Sequence, residues 1–346
     1  MRQPQRKNRC RLQVMSRAAL IRLTMLFTIA AVVMVWAWFA MFAMPGESYQ
    51  GKLPSLQPSE RALQNALEAD VRQLAVEIGP RNLNAYERLN AAKDFLANSL
   101  IEAGYTVKMQ TYKADDRTYT NLEAELKGQA KADEIVLVGG HYDTAYSTPG
   151  ANDNATGTAA TLALARLFAD KTPARTIRFV EFANEEPPFF WTEEMGSFVY
   201  AQRAQQRQEK IVAMLSLETM GYFSDQPGSQ AYPPPLNLLY PDRGNFIAFI
   251  GNLDSGKLVR RAIAAFRRHS QFPSEGAAVP GWIPGIGWSD HWSFWQQGYL
   301  AIMVTDTAPF RYPHYHMDDD TIDKVNFEKL ARVTISLAQV IADLAE

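Results

Sequence analysis

The chain has 346 residues, 47% of them hydrophobic, with 35 lysines and arginines against 37 aspartates and glutamates. This length suits one α/β domain with insertions, and the composition is that of a folded protein rather than a disordered one. Seven of the cations and none of the acids fall within residues 1–22; the remainder holds 28 basic and 37 acidic residues, a net charge of −9, which leaves no cationic footprint for nucleic acid.

After this basic tail (residues 1–22), Leu23 to Met44 reads "LTMLFTIAAVVMVWAWFAMFAM", 22 residues without a charge. Such a run is long enough to cross a hydrocarbon core of roughly 30 Å as a helix. Cations precede it and Glu47 follows it, so the positive-inside bias puts the N-terminus in the cytoplasm and the rest in the periplasm or outside the cell. A short basic tail and an anchor suit a bacterial inner membrane, with Trp36 and Trp38 near the outer interface. A cleaved signal peptide is the competing reading, but the run exceeds the usual h-region of about 7–15 residues and no A-x-A site closes it. The single cysteine, Cys10, lies in the tail, so the exported part has neither a disulfide nor a thiol nucleophile.

Residues 45–58 are polar and contain prolines, as a linker does, and a domain over 59–346 follows. It begins with two amphipathic helical patterns, "SERALQNALEADVRQLAVEIG" and "NAYERLNAAKDFLANSLIEAG", the second ending at Gly104. The period then changes to two in "YTVKMQTY" and "TNLEAELK", and "EIVLVGG" is the short apolar run of a strand buried on both faces. From there strands and helices alternate: helix "ATGTAATLALARLFAD", strand "TIRFVEFA", helix "MGSFVYAQRAQQRQ", strand "IVAMLSLE". Later come strand "FIAFIGN", helix "SGKLVRRAIAAFRRH", strand "YLAIMVTDT" and a closing helix "VNFEKLARVTISLAQVIADLA". This pattern predicts an α/β fold, a mixed, mainly parallel central sheet flanked by helices, preceded by one transmembrane helix. "SDQPGSQAYPPPLNLLYPDRG" and "SEGAAVPGWIPGIGWSDHW" read as loops over one face.

Open α/β sheets place their sites outside the carboxyl ends of the strands. There the sequence puts His141 and Asp143, the pair Glu185 and Glu186, Glu218, and a loop with His314 and His316, while Asp153 precedes a helix. An oxygen-and-imidazole set of this kind suits zinc or a similar divalent ion. Adjacent glutamates leaving a strand point to opposite sides, so one can ligate while its neighbour faces substrate as a base. Each piece alone has a blander reading, a loop histidine or a solvated acidic pair; coincidence at successive strand ends is what points to a metal.

Taken together, "GGHYDT", "PGANDNATG", "EFANEE", "MGS", "SLETMGY", "SDHWSF" and "YHMDDDTIDK" resemble, in order and spacing, the zinc-dependent M28 peptidases. These include aminopeptidase Y and bacterial leucyl aminopeptidases, with glutaminyl cyclases as relations, and the resemblance runs from about Arg81 to the C-terminus. It implies the phosphorylase/hydrolase-like fold of co-catalytic zinc exopeptidases and two zinc ions per chain. It makes His141 and Glu218 ligands of one ion, Glu186 and His316 ligands of the other, and Asp153 the bridge. It further implies Glu185 as general base, Asp143 as the carboxylate orienting the His141 imidazole, and a cis peptide after Asp153. The motif selects His316 over His314. Asp290, His291 and Tyr315 fall beside the metals or along the substrate wall; for His291 a plain loop hydrogen bond is the equal alternative.

The function so implied is a membrane-anchored dizinc aminopeptidase acting on peptides with a free N-terminus, the lipid bilayer engaged through residues 23–44. A one-metal glutaminyl cyclase is the first rival. A non-catalytic binding ectodomain is the second, disfavoured because the full ligand set and the base are present. Phe189, Phe190, Trp191, Trp282 and Trp288 either line a substrate pocket or cover the sheet.

Overall fold

The computed structural model describes residues 16–346, so Cys10 and the cations before Ser16 lie outside the described residues. The chain divides at residue 43 into two units. In the first, helix α1 (Arg17–Met41) is long and apolar enough to cross a membrane by length and composition, and none of its residues is buried. It begins ahead of the uncharged run and ends at Met41.

The second unit opens with helix α2 (Pro58–Arg72), started by Pro58 and a capping box between Gln57 and Glu60. Its buried Leu63, Leu67 and Val71 form one stripe at helical spacing. Helix α3 (Tyr86–Glu102) follows, then strands β1 (Val107–Ala114), β2 (Arg117–Leu126) and β3 (Lys131–His141). Next come α4 (Ala155–Phe168), β4 (Arg175–Phe182), α5 (Gly196–Gln206) and β5 (Lys210–Glu218). The last third holds β6 (Ile247–Gly251), α6 (Gly256–His269), β7 (Ser274–Ala278), α7 (His291–Gln296), β8 (Ala301–Thr305), α8 (Ala308–Arg311) and α9 (Phe327–Ala345).

All eight strands join one sheet in the order β1-β2-β4-β3-β5-β8-β6-β7. The central β4, β3, β5 and β8 run parallel; on one side β2 runs against β4 and β1 against β2, and on the other β6 runs against β8 with β7 parallel to β6. Alternate residues split the core. Val136, Val138, Leu215 and Val304 pack under α2, α3, α4, α6 and α9, while Leu137, Val180 and Met214 pack under α5 and α7. The four parallel strands therefore deliver their carboxyl ends, His141, Phe182, Glu218 and Thr305, to one edge of the layer.

Two expectations change. "SEGAA" is the edge strand β7 rather than part of a loop, and "HWSFWQ" is the short helix α7. Glycine and alanine carry little strand propensity, so β7 is defined by pairing with β6 more than by its own residues. The linker residues are also engaged: the Arg267 guanidinium donates to the Pro45 and Gly46 carbonyls at 3.1 and 2.9 Å, and Arg332 reaches the Pro54 carbonyl.

Candidate metal centre

His141 closes β3, where the chain leaves the sheet through Asp143 and loops to the start of α4. Close packing at this turn requires glycine: a Cβ on Gly157 would stand 2.2 Å from the Leu217 carbonyl oxygen and 2.3 Å from Asn154 Oδ1. In that space the Asn154 carboxamide ties three elements, accepting from the N–H groups of Gly157 and Thr219 and donating to the Leu217 carbonyl. The Asp153–Asn154 peptide is cis. Asn184, Thr219 and His316, each beside or at a cluster residue, adopt φ of 59°, 43° and 59°, a left-handed backbone that non-glycine residues rarely take. Such strain persists only where the surroundings enforce it.

Three strand ends and two loops thus bring six side chains together. His141 Nε2 lies 3.2 Å from Glu218 Oε2, 3.5 Å from Asp153 Oδ1 and 4.0 Å from Glu185 Oε2. His316 Nε2 lies 3.1 Å from Asp153 Oδ2 and 3.3 Å from Glu186 Oε1. The two aspartate oxygens therefore face different histidines. His314 turns away, its Nδ1 2.6 Å from Asp319 on the exposed side of the loop.

These contacts have ion-pair distances without hydrogen-bond geometry. Both Asp153 oxygens, Glu186 Oε1 and His316 Nε2 are buried with no hydrogen-bond partner. Potential ligand atoms gather within 4.8 Å as His141–Asp153–Glu218, as Asp153–Glu186–His316, and as His141–Glu185–Glu186. Buried carboxylates and imidazoles with open valences fit a divalent cation of the zinc type. Without one, protons balance the charge. Burial raises Glu186 to about 7, Asp153 adding to it and His316 opposing. Burial also takes Glu185 and Glu218 above the usual carboxyl range, against His141. For His316 burial works downward, yet Asp153 and Glu186 outweigh it and hold the ring at about 11; His141 is raised likewise, against burial, by Glu218 and Glu185.

Asp143 accepts the backbone N–H groups of Glu185 and Glu186 at 3.0 and 3.1 Å, and its Oδ1 lies 3.4 Å from His141 Nδ1. Asp290 is fully buried, its carboxyl raised to about 7 by burial, with His141 opposing. His291 has the loop bond: its Nε2 is 2.7 Å from the Ile286 carbonyl, it packs edge-on against Trp295, and burial lowers it to about 4. Tyr315 stacks on His316 with ring centroids 3.9 Å apart, and burial among Asp153, Glu186, Glu218 and Glu185 raises its hydroxyl far above the ordinary value.

Beside the cluster, a pocket of about 750 Å³, open solvent at its entrance included, is floored by alternate residues of β8 and β6 and by Glu275, Gly276 and Ala277 of β7, and shares Glu218 and Tyr315 with the centre. Its walls include Leu236, Phe246, Ile286 and Phe310. Of the five aromatics named from sequence, Trp288 alone lines it. Phe189 is buried against Tyr119, Phe190 and Trp191 stack toward Trp292, and Trp282 is exposed.

Several supporting residues escaped the sequence reading. Asp320 accepts the N–H groups of Asn152 and Asp153 at 2.8 and 3.0 Å and the Tyr312 hydroxyl at 2.7 Å, fixing the loop that carries Asp153. Ser289 donates to Glu218 at 2.7 Å. Arg81, wholly buried, donates to the carbonyls of Tyr142, Leu74, Gly79, Pro149 and Gly150 and so pins both ends of the loop after β3. Asp320 sits in the quoted "YHMDDDTIDK" and was within reach; nothing in sequence separates Arg81 from a surface arginine.

The model of peptidase family M28 matches residues 121–341. An uncharacterized protein, YfbL of Escherichia coli K12, is 38% identical over 295 residues, 82% of this chain and 90% of its own. A probable zinc metalloprotease of Pyrenophora teres is 26% identical over 77% of this chain and 63% of its own length. Among solved structures, the zinc aminopeptidase of Bacillus subtilis superposes with a TM-score of 0.64 at 16% identity, covering 81% of this chain and 94% of that one. The glutaminyl cyclase of Bacteroides thetaiotaomicron gives 0.61 at 18%, covering 84% and 99%.

Proposed function

The chain belongs to peptidase family M28, and from that membership we propose that it is a dizinc aminopeptidase, held outside the cytoplasm by a membrane-spanning α1. The observation that carries this reading is Asp153, a buried carboxylate whose two unpartnered oxygens face His141 and His316 respectively. His141, Asp153 and Glu218 would hold one zinc ion and Asp153, Glu186 and His316 the other, and ions so held would supply Lewis acidity toward a carbonyl and toward water.

Glu185 is needed by neither set and is the general base. Its raised affinity for protons suits taking one from the attacking water and returning it to the leaving amine. Asp143 positions the two glutamates through their backbone N–H groups and sets the His141 ring. The Tyr315 hydroxyl stays protonated and can donate to the carbonyl oxygen as charge develops there. Carboxylates of the cluster would hold the free α-amine of a peptide, and the adjoining apolar cavity would receive its first side chain.

Likeness in fold to a glutaminyl cyclase supports a second reading, intramolecular attack by an N-terminal glutamine. That reading needs one ion; the two carboxylate oxygens of Asp153, facing different histidines, support two. Full-length protein assayed on aminoacyl fluorogenic substrates and on glutaminyl peptides separates the two. Chelator-sensitive release of N-terminal residues is expected, absent in Glu185→Gln. Pyroglutamate formation alone moves the assignment to the cyclase, and undiminished hydrolysis by Glu185→Gln removes the proposed base.

A further inference from the structure

We propose that the 44–346 unit rests on the bilayer through an apolar rim formed by Leu238, Leu239, Leu253 and Trp282, with lipid as the occupant; this rests on reading α1 as a membrane span. Among the described residues, Trp282 at 80% and Leu238 at 79% are the most exposed large apolar side chains, ahead even of those in α1. Leu239 and Leu253 are exposed at 41% and 44%. Large apolar side chains left this exposed around one strand mark a surface that meets something else.

The rim is gathered around one strand. Tyr240, next to Leu239, donates its hydroxyl to the Gly276 carbonyl of β7 at 2.7 Å. The chain leaving β7 bonds Val279 N–H to the Gly251 carbonyl at 3.0 Å, and a Cβ on Gly281 would lie 3.9 Å from that of Asn252. Trp282 follows Gly281 and Leu253 follows Asn252, so these tips emerge together.

The chain also enters the unit at β7. Met44 packs where a Cβ on Gly276 would come within 3.1 Å of it, Arg267 holds the Pro45 and Gly46 carbonyls, and Ser274 N–H donates to Ser48 at 3.0 Å. Residues 44–48 are therefore tied down. Only Phe42 and Ala43 separate Met41, the end of α1, from Met44, a reach of at most about 11 Å however the helix is angled. A bilayer spanned by α1 must begin within that reach of β7, where the apolar rim lies. Tryptophan and leucine suit the headgroup boundary, and exposed Lys257 and Arg261 on α6, shortly after Leu253, suit anionic headgroups.

Nitroxide labels test this on full-length protein in nanodiscs, with Cys10→Ser removing the native thiol. Single cysteines replace Leu238, Trp282, Ile101 on α3 and Ala31 in α1, and each label's accessibility to oxygen and to a nickel chelate is compared. Labels at Leu238→Cys and Trp282→Cys are expected to favour oxygen, as at Ala31→Cys, while Ile101→Cys favours nickel. If Leu238→Cys and Trp282→Cys favour nickel while Ala31→Cys favours oxygen, the rim does not touch lipid and the proposal fails alone. An aqueous Ala31→Cys label overturns the membrane reading and the proposal with it.

Discussion

Arg81 and Asp153 are both charged and both out of contact with solvent, at 0% and 2% exposure, yet their surroundings are opposite. Each nitrogen of the Arg81 guanidinium donates to backbone carbonyls, five in all. Asp153 has its backbone N–H held by Asp320, while both carboxylate oxygens stay unpartnered between two histidines. Burial of charge alone therefore does not mark a functional site. What marks it is a group of buried side chains whose open valences face one another, as those of Asp153, Glu186 and His316 do.

The sharpest way to separate catalysis from scaffold is Glu185→Gln. It is expected to lower the rate by on the order of 10²–10⁴ while zinc content, measured by mass spectrometry, stays unchanged. Loss of zinc in this variant would place Glu185 among the ligands. Next in size, Arg81→Ala strips partners from buried carbonyls and should destabilise even metal-free protein by about 3 kcal/mol or more, read from denaturant midpoints. A variant as stable as the parent would show that water replaces the guanidinium.

Protons give a third break in the comparison. Metal-free His141 and His316 are raised by their carboxylate neighbours, so both rings carry protons at neutral pH. Zinc must displace them together with the protons held by the raised Glu186 and Glu218 carboxyls, and loading at pH 7 is expected to release at least about two protons per chain, measured by titration calorimetry in buffers of different ionisation heat. The sign follows: affinity rises with pH and falls as acid returns the protons. Smaller still, Asp143→Asn keeps one acceptor and loses a charge, with an expected cost of about 10–100-fold in activity or zinc affinity. His314→Ala should leave zinc content unaltered, because that ring pairs with Asp319 away from the cluster.

The sheet was legible wherever strands are apolar on both faces. "EIVLVGG" became β3, and the polar residues just beyond such runs are the ones that converge. Legibility failed where partners rather than residues decide. The five residues of β7 have no strand pattern and exist as a strand because β6 offers an edge. In the run Asp318, Asp319 and Asp320, the first meets Ser147, the second His314, and only the third turns inward to hold the Asp153 loop. Three identical side chains diverge because the loop path aims them, and that path is set by contacts distant in sequence. Arg81 is hidden for the same reason, its five acceptors coming from loops up to 69 positions away.

The shared role of Asp153 is the centre of the account, and counting zinc tests it most directly. Full-length protein loaded with zinc, desalted and measured by mass spectrometry should carry about two ions per chain, with Asp153→Asn losing affinity for both together. One ion per chain, or an Asp153→Asn variant that still holds the parental amount, would contradict it.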